Sequence, residues 1–395
     1  MSASILESIR TADWLDAGRV RGYAVIVGIA SIALLVNSYL KAMGSDGTDF
    51  LAFWGAGHVA ATGDPAAAYD LMVQERVQTG TGSEGWFAFV NLPPFLFAVA
   101  PFGVLPFPIA WIAWVLVTFA VWAWASIRTF PRLWVLVLVF PGALLAAGHA
   151  QTGLLTGALL VGGAVLLDKR PASAGLLLGA LVIKPHLALL VPFWLAGAGK
   201  WRAFLAAGAS AAGLLLASWA VFGIDTMIAY TSSWEASRLI MASEDREFYL
   251  RMATPYSQFR LFMPAGLALA INVAIAFAMM AISFMAWRRM GQDALASGAL
   301  VLAATALASP YLFNYDLPFL ILPLLWLVSE GLRHGFRSYE RLGLVLLYFA
   351  PYATRAAALE LGVNLMPIAS LVLVRLIWTR GGSLRKQAGE PVSSP

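Results

Sequence analysis

Twelve apolar runs, separated by short polar or glycine- and proline-bearing stretches, set the pattern of the chain. They lie at about 22–41, 107–127, 132–148, 152–167, 172–184, 186–198, 203–222, 262–286, 294–310, 317–329, 342–353 and 364–379. A helix of about 20 apolar residues crosses a bilayer. The pattern therefore predicts an all-α polytopic membrane protein, a single integral domain over 1–395 with about 12 transmembrane helices. The runs at 172–184 and 186–198 are short and meet at Pro185, so they predict a tight hairpin with Lys184 and His186 at its turn. Two intervals between runs are long. The interval 42–106 holds helical stretches broken at Gly63–Asp64–Pro65 and an apolar, proline-rich segment (NLPPFLFAVAPFGVL). It predicts amphipathic helices lying along the surface or dipping back into the membrane. The interval 223–261 predicts a second loop on the same side.

Charge adds a direction to this pattern. Lysine and arginine follow the ends of alternate runs, as in DKR at 168–170, GKWR at 199–202 and WRRM at 287–290. The other connections carry mainly acids, among them Asp46, Asp49, Asp64, Asp70, Glu244, Asp245 and Asp316. Basic loops stay in the cytoplasm. Both termini are thus expected inside, and the loops 42–106 and 223–261 outside, with a bacterial inner membrane as the setting. Only 12% of the 395 residues are charged and 60% are hydrophobic, too little polar surface for a water-soluble globule. The net charge of +5 is dispersed in small clusters and gives no nucleic-acid-binding face. Cysteine is absent, which removes thiolate nucleophiles, disulfides and cysteine-ligated metals together.

The polar residues that stand out gather in the outside connections. Asp49 comes eight positions after Lys41, next to Phe50, Phe53 and Trp54. It reads either as a partly desolvated carboxylate suited to act as a base or as the cap of a helix starting at Phe50. His58 follows two turns later. Lys184 is either a cation that meets a phosphate or a lysine that snorkels to the surface. His149 and Gln151 hydrogen-bond a polar ligand or satisfy helix ends. Asp316, beside Tyr315, binds a hydroxyl, pairs with Lys184 or an arginine, or caps a helix. The second loop offers Arg238, Arg246, Arg251 and Arg260; an arginine such as Arg251 is suited to clasp an anion bidentately, whereas Arg238 and Arg246, set among acids, read as solvated surface.

Several short motifs resemble glycosyltransferase family 87. They are D-F-x-x-F-W-x-A-G-H at 49–58 with G-D-P-A-A-x-Y-D after it, N-L-P-P-F at 91–95, and G-H-A-Q-T-G-L-L at 148–155. They continue with the Arg-Pro…Lys-Pro-His stretch at 170–186 and S-P-Y-L-F-N-Y-D at 309–316. The motifs come in the family's order over about 45–320, with His149–Ala150 standing like an insertion between Gly148 and Gln151. The resemblance implies a GT-C-type fold and a membrane glycosyltransferase. Such an enzyme moves a hexose, mannose in characterised relatives, from a polyprenyl phosphate donor to a lipid or glycan acceptor hydroxyl outside the cytoplasm. It implies Asp49 as general base, Lys184, His186 and Arg251 at the donor phosphate, and His58, His149, Gln151, Tyr315 and Asp316 at sugar and acceptor. No cofactor and no metal is expected, because a lysine or arginine can meet the charge of a phosphate monoester. Membrane lipids are the expected surroundings.

Two other classes fit a dozen helices. A transporter or flippase places ionisable groups and broken helices near the midplane, often in two related halves. Here the acids cluster in one early loop and no halves repeat. A lipid-linked glycan ligase generally carries its large outer loop late in the chain.

Overall fold

The computed structural model describes residues 3–242 and 245–389; Glu244, counted above among the acids, lies outside them. The described residues form helices, with one isolated β-bridge between Met252 and Phe313. In chain order the main helices are α1 (Ala17–Ala42), α2 (Phe50–Ala61), α3 (Leu96–Gly103), α4 (Phe107–Thr129), α5 (Pro141–Gly148), α6 (Gly153–Leu166) and α7 (Pro171–Gly179). They continue with α8 (Val191–Gly197), α9 (Trp201–Tyr230), α10 (Ala265–Arg289), α11 (Ala294–Ala308), α12 (Ile321–His334), α13 (Glu340–Leu361) and α14 (Met366–Gly389).

Every apolar run is helical, but they are not equivalent. Among the described residues, six helices are long and apolar enough to cross a membrane, or seven if the bent pair Pro131–Leu138 and Pro141–Gly148 counts as one, where about twelve spans were expected. The pair bends by 45° because Pro141 has no amide hydrogen to continue the helix from the preceding turn. The runs at 152–167, 172–184, 186–198 and 294–310 form helices of only 10–17 residues. At 1.5 Å per residue these reach about 15–25 Å, short of the roughly 30 Å hydrocarbon layer.

Burial explains the division. On α1, Val25, Ile26, Ile29 and Ile32 are each more than 60% exposed. Such a patch belongs against lipid rather than water. The short α11 is buried at every residue except Leu295. The long helices α1, α9, α10 and α13 thus form much of the lipid-facing wall, while α11 and the long but mostly buried 314–334 segment fill its interior.

The interval 42–106 differs from the surface-lying expectation in the same way. Its helices are present, but α2 is apolar on all sides and buried at eight of its twelve residues, so it is core rather than two-faced. It packs on α3 backbone to backbone. A Cβ at Gly57 would lie 2.4 Å from the Val99 carbonyl oxygen, and one at Gly103 would lie 2.1 Å from the Gly57 carbonyl carbon. Only glycine permits that approach. At the other interval, α9 does not stop at 222. It runs on to Tyr230 through a bend at Gly223, whose φ is 82°. The remainder folds as three short helices, Ser232–Ala242, Arg246–Arg251 and Pro255–Arg260, of which the last two form a compact segment. This segment docks on 309–316 through the Met252–Phe313 bridge and a 2.8 Å bond from the Ala253 amide to the Leu312 carbonyl.

The hairpin expected at Lys184 is present. Gly175 packs on the Ala203 carbonyl and Gly179 on the Ala207 carbonyl, so α7 runs parallel to α9 and α8 returns. The two feet are joined by Asp168 and Lys200 at 2.9 Å. That foot belongs to a basic end, where other chain ends are also tied. The Tyr339 amide donates to the Arg10 carbonyl, Arg341 pairs with Asp13 at 2.6 Å, and the buried Arg380 pairs with Glu340. The opposite end holds Asp49, the α5–α6 turn, Lys184 and 309–316.

Candidate active site

Asp49 occupies the position before α2, but its side chain does not cap the helix. It accepts instead a 2.7 Å hydrogen bond from Nε2 of Gln151, 102 residues away. The cap reading is therefore set aside. The amide of Gln151 is held at both ends, since its Oε1 also accepts from the Thr152 amide at 3.4 Å. Gln151 reaches Asp49 because the chain reverses between α5 and α6 at Ala150, a non-glycine residue with φ of 46°. A residue in that region costs about 1–2 kcal/mol, and such strain collects at functional turns. The insertion-like His149–Ala150 pair is thus the turn that aims Gln151.

From Thr152 the network continues. Its Oγ1 accepts from Nζ of Lys184 at 3.2 Å, and the same Nζ reaches Oδ1 of Asp316 at 2.5 Å. Asp316 is fully buried and the Lys184 side chain is 11% exposed. Of the alternatives open for Asp316, two hold together: it pairs with Lys184, and its Oδ2 accepts from the Phe313 amide at 3.1 Å. Lys184 is therefore not a free snorkelling cation; its charge is balanced inside the protein. One continuous path runs Asp49–Gln151–Thr152–Lys184–Asp316. It requires α6 to meet 314–316 closely, and a Cβ on Gly153 would lie 2.0 Å from the Tyr315 carbonyl oxygen.

Aromatic rings surround the path. Tyr315 stacks on Phe313 at 5.0 Å between ring centres, and His149 lies 5.5 Å from Tyr315. His186 meets Tyr311 edge-on at 5.9 Å, and its buried Nε2 has no partner among the described residues. Burial, and then the carboxylates of Asp316 and Asp49, push the Tyr311 phenol above its ordinary range. The hydroxyl therefore stays protonated and available as a donor.

Two residues expected at the site behave differently. The His58 ring stacks on Trp54 at 5.3 Å and its Nδ1 lies 3.0 Å from the Gly103 carbonyl. It belongs to the α2–α3 seam, two turns from Asp49, and the structure does not bring it into the network. Arg251 is half-exposed and paired with Glu247, near the network but outside it. Thr152, Tyr311 and Arg355 were missed. Thr152 and Tyr311 sit inside motifs already singled out. Arg355 is half-buried on α13, within electrostatic reach of Arg251, Glu247 and Tyr315. A lone arginine in the apolar stretch YFAPYATRAAAL was its signal.

Below this end a second set of buried polar contacts fixes the loop. Asn314 donates to the Pro351 carbonyl at 2.8 Å and accepts from Asn364 at 2.8 Å. Gln258 accepts from the Asn364 amide at 2.7 Å. These bonds hold 249–258, 309–316 and the α13–α14 turn in one frame, so the polar path does not depend on loose loops.

A multi-pass helical membrane protein with one buried carboxylate–amide–cation path at a single end has the layout of a membrane enzyme. The chain belongs to glycosyltransferase family 87, whose model matches residues 89–310, more than half of its length. It is a membrane glycosyltransferase of the hexosyltransferase class. Gln151, Lys184, His186 and Arg251 fall inside the matched span, while Asp49, Tyr315 and Asp316 join them only through the fold. No curated protein and no solved structure matches the chain.

Proposed function

We propose that the protein transfers a hexose, mannose in the first instance, from a polyprenyl phosphate to an acceptor hydroxyl at the non-cytoplasmic face of a bacterial inner membrane. Asp49 is the general base. The observation that carries this reading is the Gln151–Asp49 bond, which fixes one carboxylate oxygen and leaves Oδ1 to take a proton. The acceptor oxygen attacks the anomeric carbon as its proton passes to Asp49. The bond from that carbon to the phosphate oxygen breaks, and its electron pair leaves on the polyprenyl phosphate. A single displacement inverts the anomeric centre. Much of the acceleration comes from holding the two partners in line.

The leaving phosphate gains charge, and preorganised cations stabilise it. Lys184 shares its charge with Asp316, so on this reading it orients the phosphate while Arg251 and the half-buried Arg355 add the remaining positive field. His149 and Tyr315 contact the sugar, while Gln151 is engaged by Asp49 and acts through it. The arrangement of basic and acidic ends supports both termini in the cytoplasm and the loops 42–106 and 223–261 outside.

The test is sugar transfer by purified protein in lipid, with radiolabelled polyprenyl phosphate mannose and a membrane extract as acceptor. Asp49→Asn is expected to lower the rate by about 10²–10⁴-fold while the protein stays folded. Equal rates for wild type and variant would remove Asp49 as the base. Transfer from another polyprenyl phosphate hexose, but not from the mannose donor, would correct the sugar alone.

A further inference from the structure

A cavity of about 660 Å³ lies at the basic end, between the start of α1, the 131–139 segment, α12 and α13. It is remote from Asp49. From Tyr23, which lines it, to the end of α1 beside the site is 19 residues of helix, about 30 Å. Its size is within the range of small-molecule sites. The deep walls are apolar, with Val27, Val139, Leu325 and Leu344 among them. Of the two tyrosines that line it, Tyr348 is already satisfied, since its hydroxyl donates to the Leu136 carbonyl at 2.7 Å.

The mouth has another character. Arg21, Arg132 and Arg341 line it together with Asp13 and Asp16. Asp13 is paired with Arg341 at 2.6 Å, and Asp16 accepts from the Arg19 amide as the cap of α1. Arg21 and Arg132 have neither ion pair nor hydrogen bond among the described residues. Trp14 and Trp134 stand beside them, 39% and 51% exposed. Tryptophan at this level marks a membrane–water boundary. Tyr23, Val345 and Phe349, which line the cavity, are themselves exposed on the outer faces of α1 and α13, so the cavity can be reached from the bilayer.

An apolar chamber open to lipid, with two unpaired guanidiniums and two indoles at its rim, is complementary to an amphiphile with an anionic head. Basic pockets between spanning helices recognise such heads. We infer that this cavity binds one anionic diacyl phospholipid of the surrounding membrane, with an acyl chain inside and the phosphodiester between Arg21 and Arg132. The bound lipid adds to the contacts that already join this end, among them the Asp13–Arg341 pair.

Native mass spectrometry of the detergent-purified full chain tests this with phosphatidylglycerol and phosphatidylcholine of identical acyl chains. One phosphatidylglycerol is expected to stay bound under conditions that strip phosphatidylcholine. The double variant Arg21→Gln/Arg132→Gln is expected to bind it about tenfold more weakly or worse, through loss of charge-assisted bonds. Val328→Trp, which narrows the chamber and keeps both arginines, is expected to weaken it too. Arg288→Gln, at the same end but outside the cavity, is expected to change nothing. Equal retention of the zwitterionic lipid, unchanged binding by the double variant, or an equal loss with Arg288→Gln would overturn the site. Displacement of phosphatidylglycerol by equimolar polyprenyl phosphate would overturn the assigned occupant.

Discussion

Gln151 divides one amide between two tasks, and this makes it the most informative residue at the site. Its Nε2 fixes Asp49 and its Oε1 is fixed by the Thr152 amide. A hydrogen bond to a charged group contributes about 1.5–3 kcal/mol, so Gln151→Ala is expected to lower kcat by about 10- to 100-fold. Because Gln151 acts through Asp49, the KM of the polyprenyl phosphate donor should change far less than kcat. A large rise in that KM with kcat intact would instead make Gln151 a donor contact. The Lys184–Asp316 pair calls for a different experiment. Removing one partner of a buried pair costs about 3–5 kcal/mol, because the other charge is stranded. Asp316→Leu should thus lower the melting temperature sharply, and Lys184→Met/Asp316→Leu should recover most of the loss without recovering transfer. Recovery of both would make the pair structural only. At this scale Asp49, Gln151, Lys184 and Asp316 were legible because each breaks an apolar context in a motif. The Lys184–Asp316 pair was among the expected alternatives, whereas the Asp49–Gln151 contact was not legible, since 102 residues separate the two. His58 misled because its neighbours resemble a site, whereas its ring serves the α2–α3 seam.

Hydrophobic periodicity located a helix in each apolar run, missed the short helices at Ala3–Thr11 and within 223–261, and misjudged what several of the runs do. An apolar run of 14 residues reads the same whether it is a truncated span or an inner helix, and α6 and α11 are the latter. The distinction rests on which neighbours cover the run, which no local pattern records. For the same reason the 42–106 helices were expected either along the surface or dipping back in, because the aromatic residues of α2 suit an interface as well as a core. The cost of placing inner helices so tightly is visible at Gly153, where α6 touches the Tyr315 carbonyl. Gly153→Ala keeps a good helix former in α6 but forces 314–316 away. Overpacking of this kind costs about 1–3 kcal/mol. The expected result is a folded protein with a modestly lower melting temperature and a much larger loss of transfer, because the displaced segment carries Asp316. A matched control is Gly208→Ala, where a Cβ meets nothing within 4 Å. If Gly153→Ala retains full transfer, the close approach is packing without consequence for the site.

Across the whole molecule, the two ends differ in chemistry as sharply as the wall and interior differ in burial. The basic end gathers Arg10, Asp168–Lys200, Asp13–Arg341 and Glu340–Arg380, while the other end carries the polar path from Asp49 to Asp316. Charge bias of this form sets orientation during insertion. It is the argument for transfer outside the cytoplasm. The absence of cysteine from all 395 positions makes this directly measurable with single-cysteine variants and a membrane-impermeant maleimide. Glu75→Cys, on an exposed face of the 42–106 segment, should be labelled in intact spheroplasts. Ser338→Cys, exposed beside Arg337 at the basic end, should be labelled only after lysis. The reverse pattern would put Asp49 on the cytoplasmic side, and the donor would then have to present its sugar to the opposite leaflet. That outcome would leave the Gln151–Asp49 geometry and the test of Asp49→Asn untouched, because sidedness follows from loop charge and the base assignment follows from a hydrogen bond. The two can therefore fail separately, and labelling decides the first without any knowledge of the substrate.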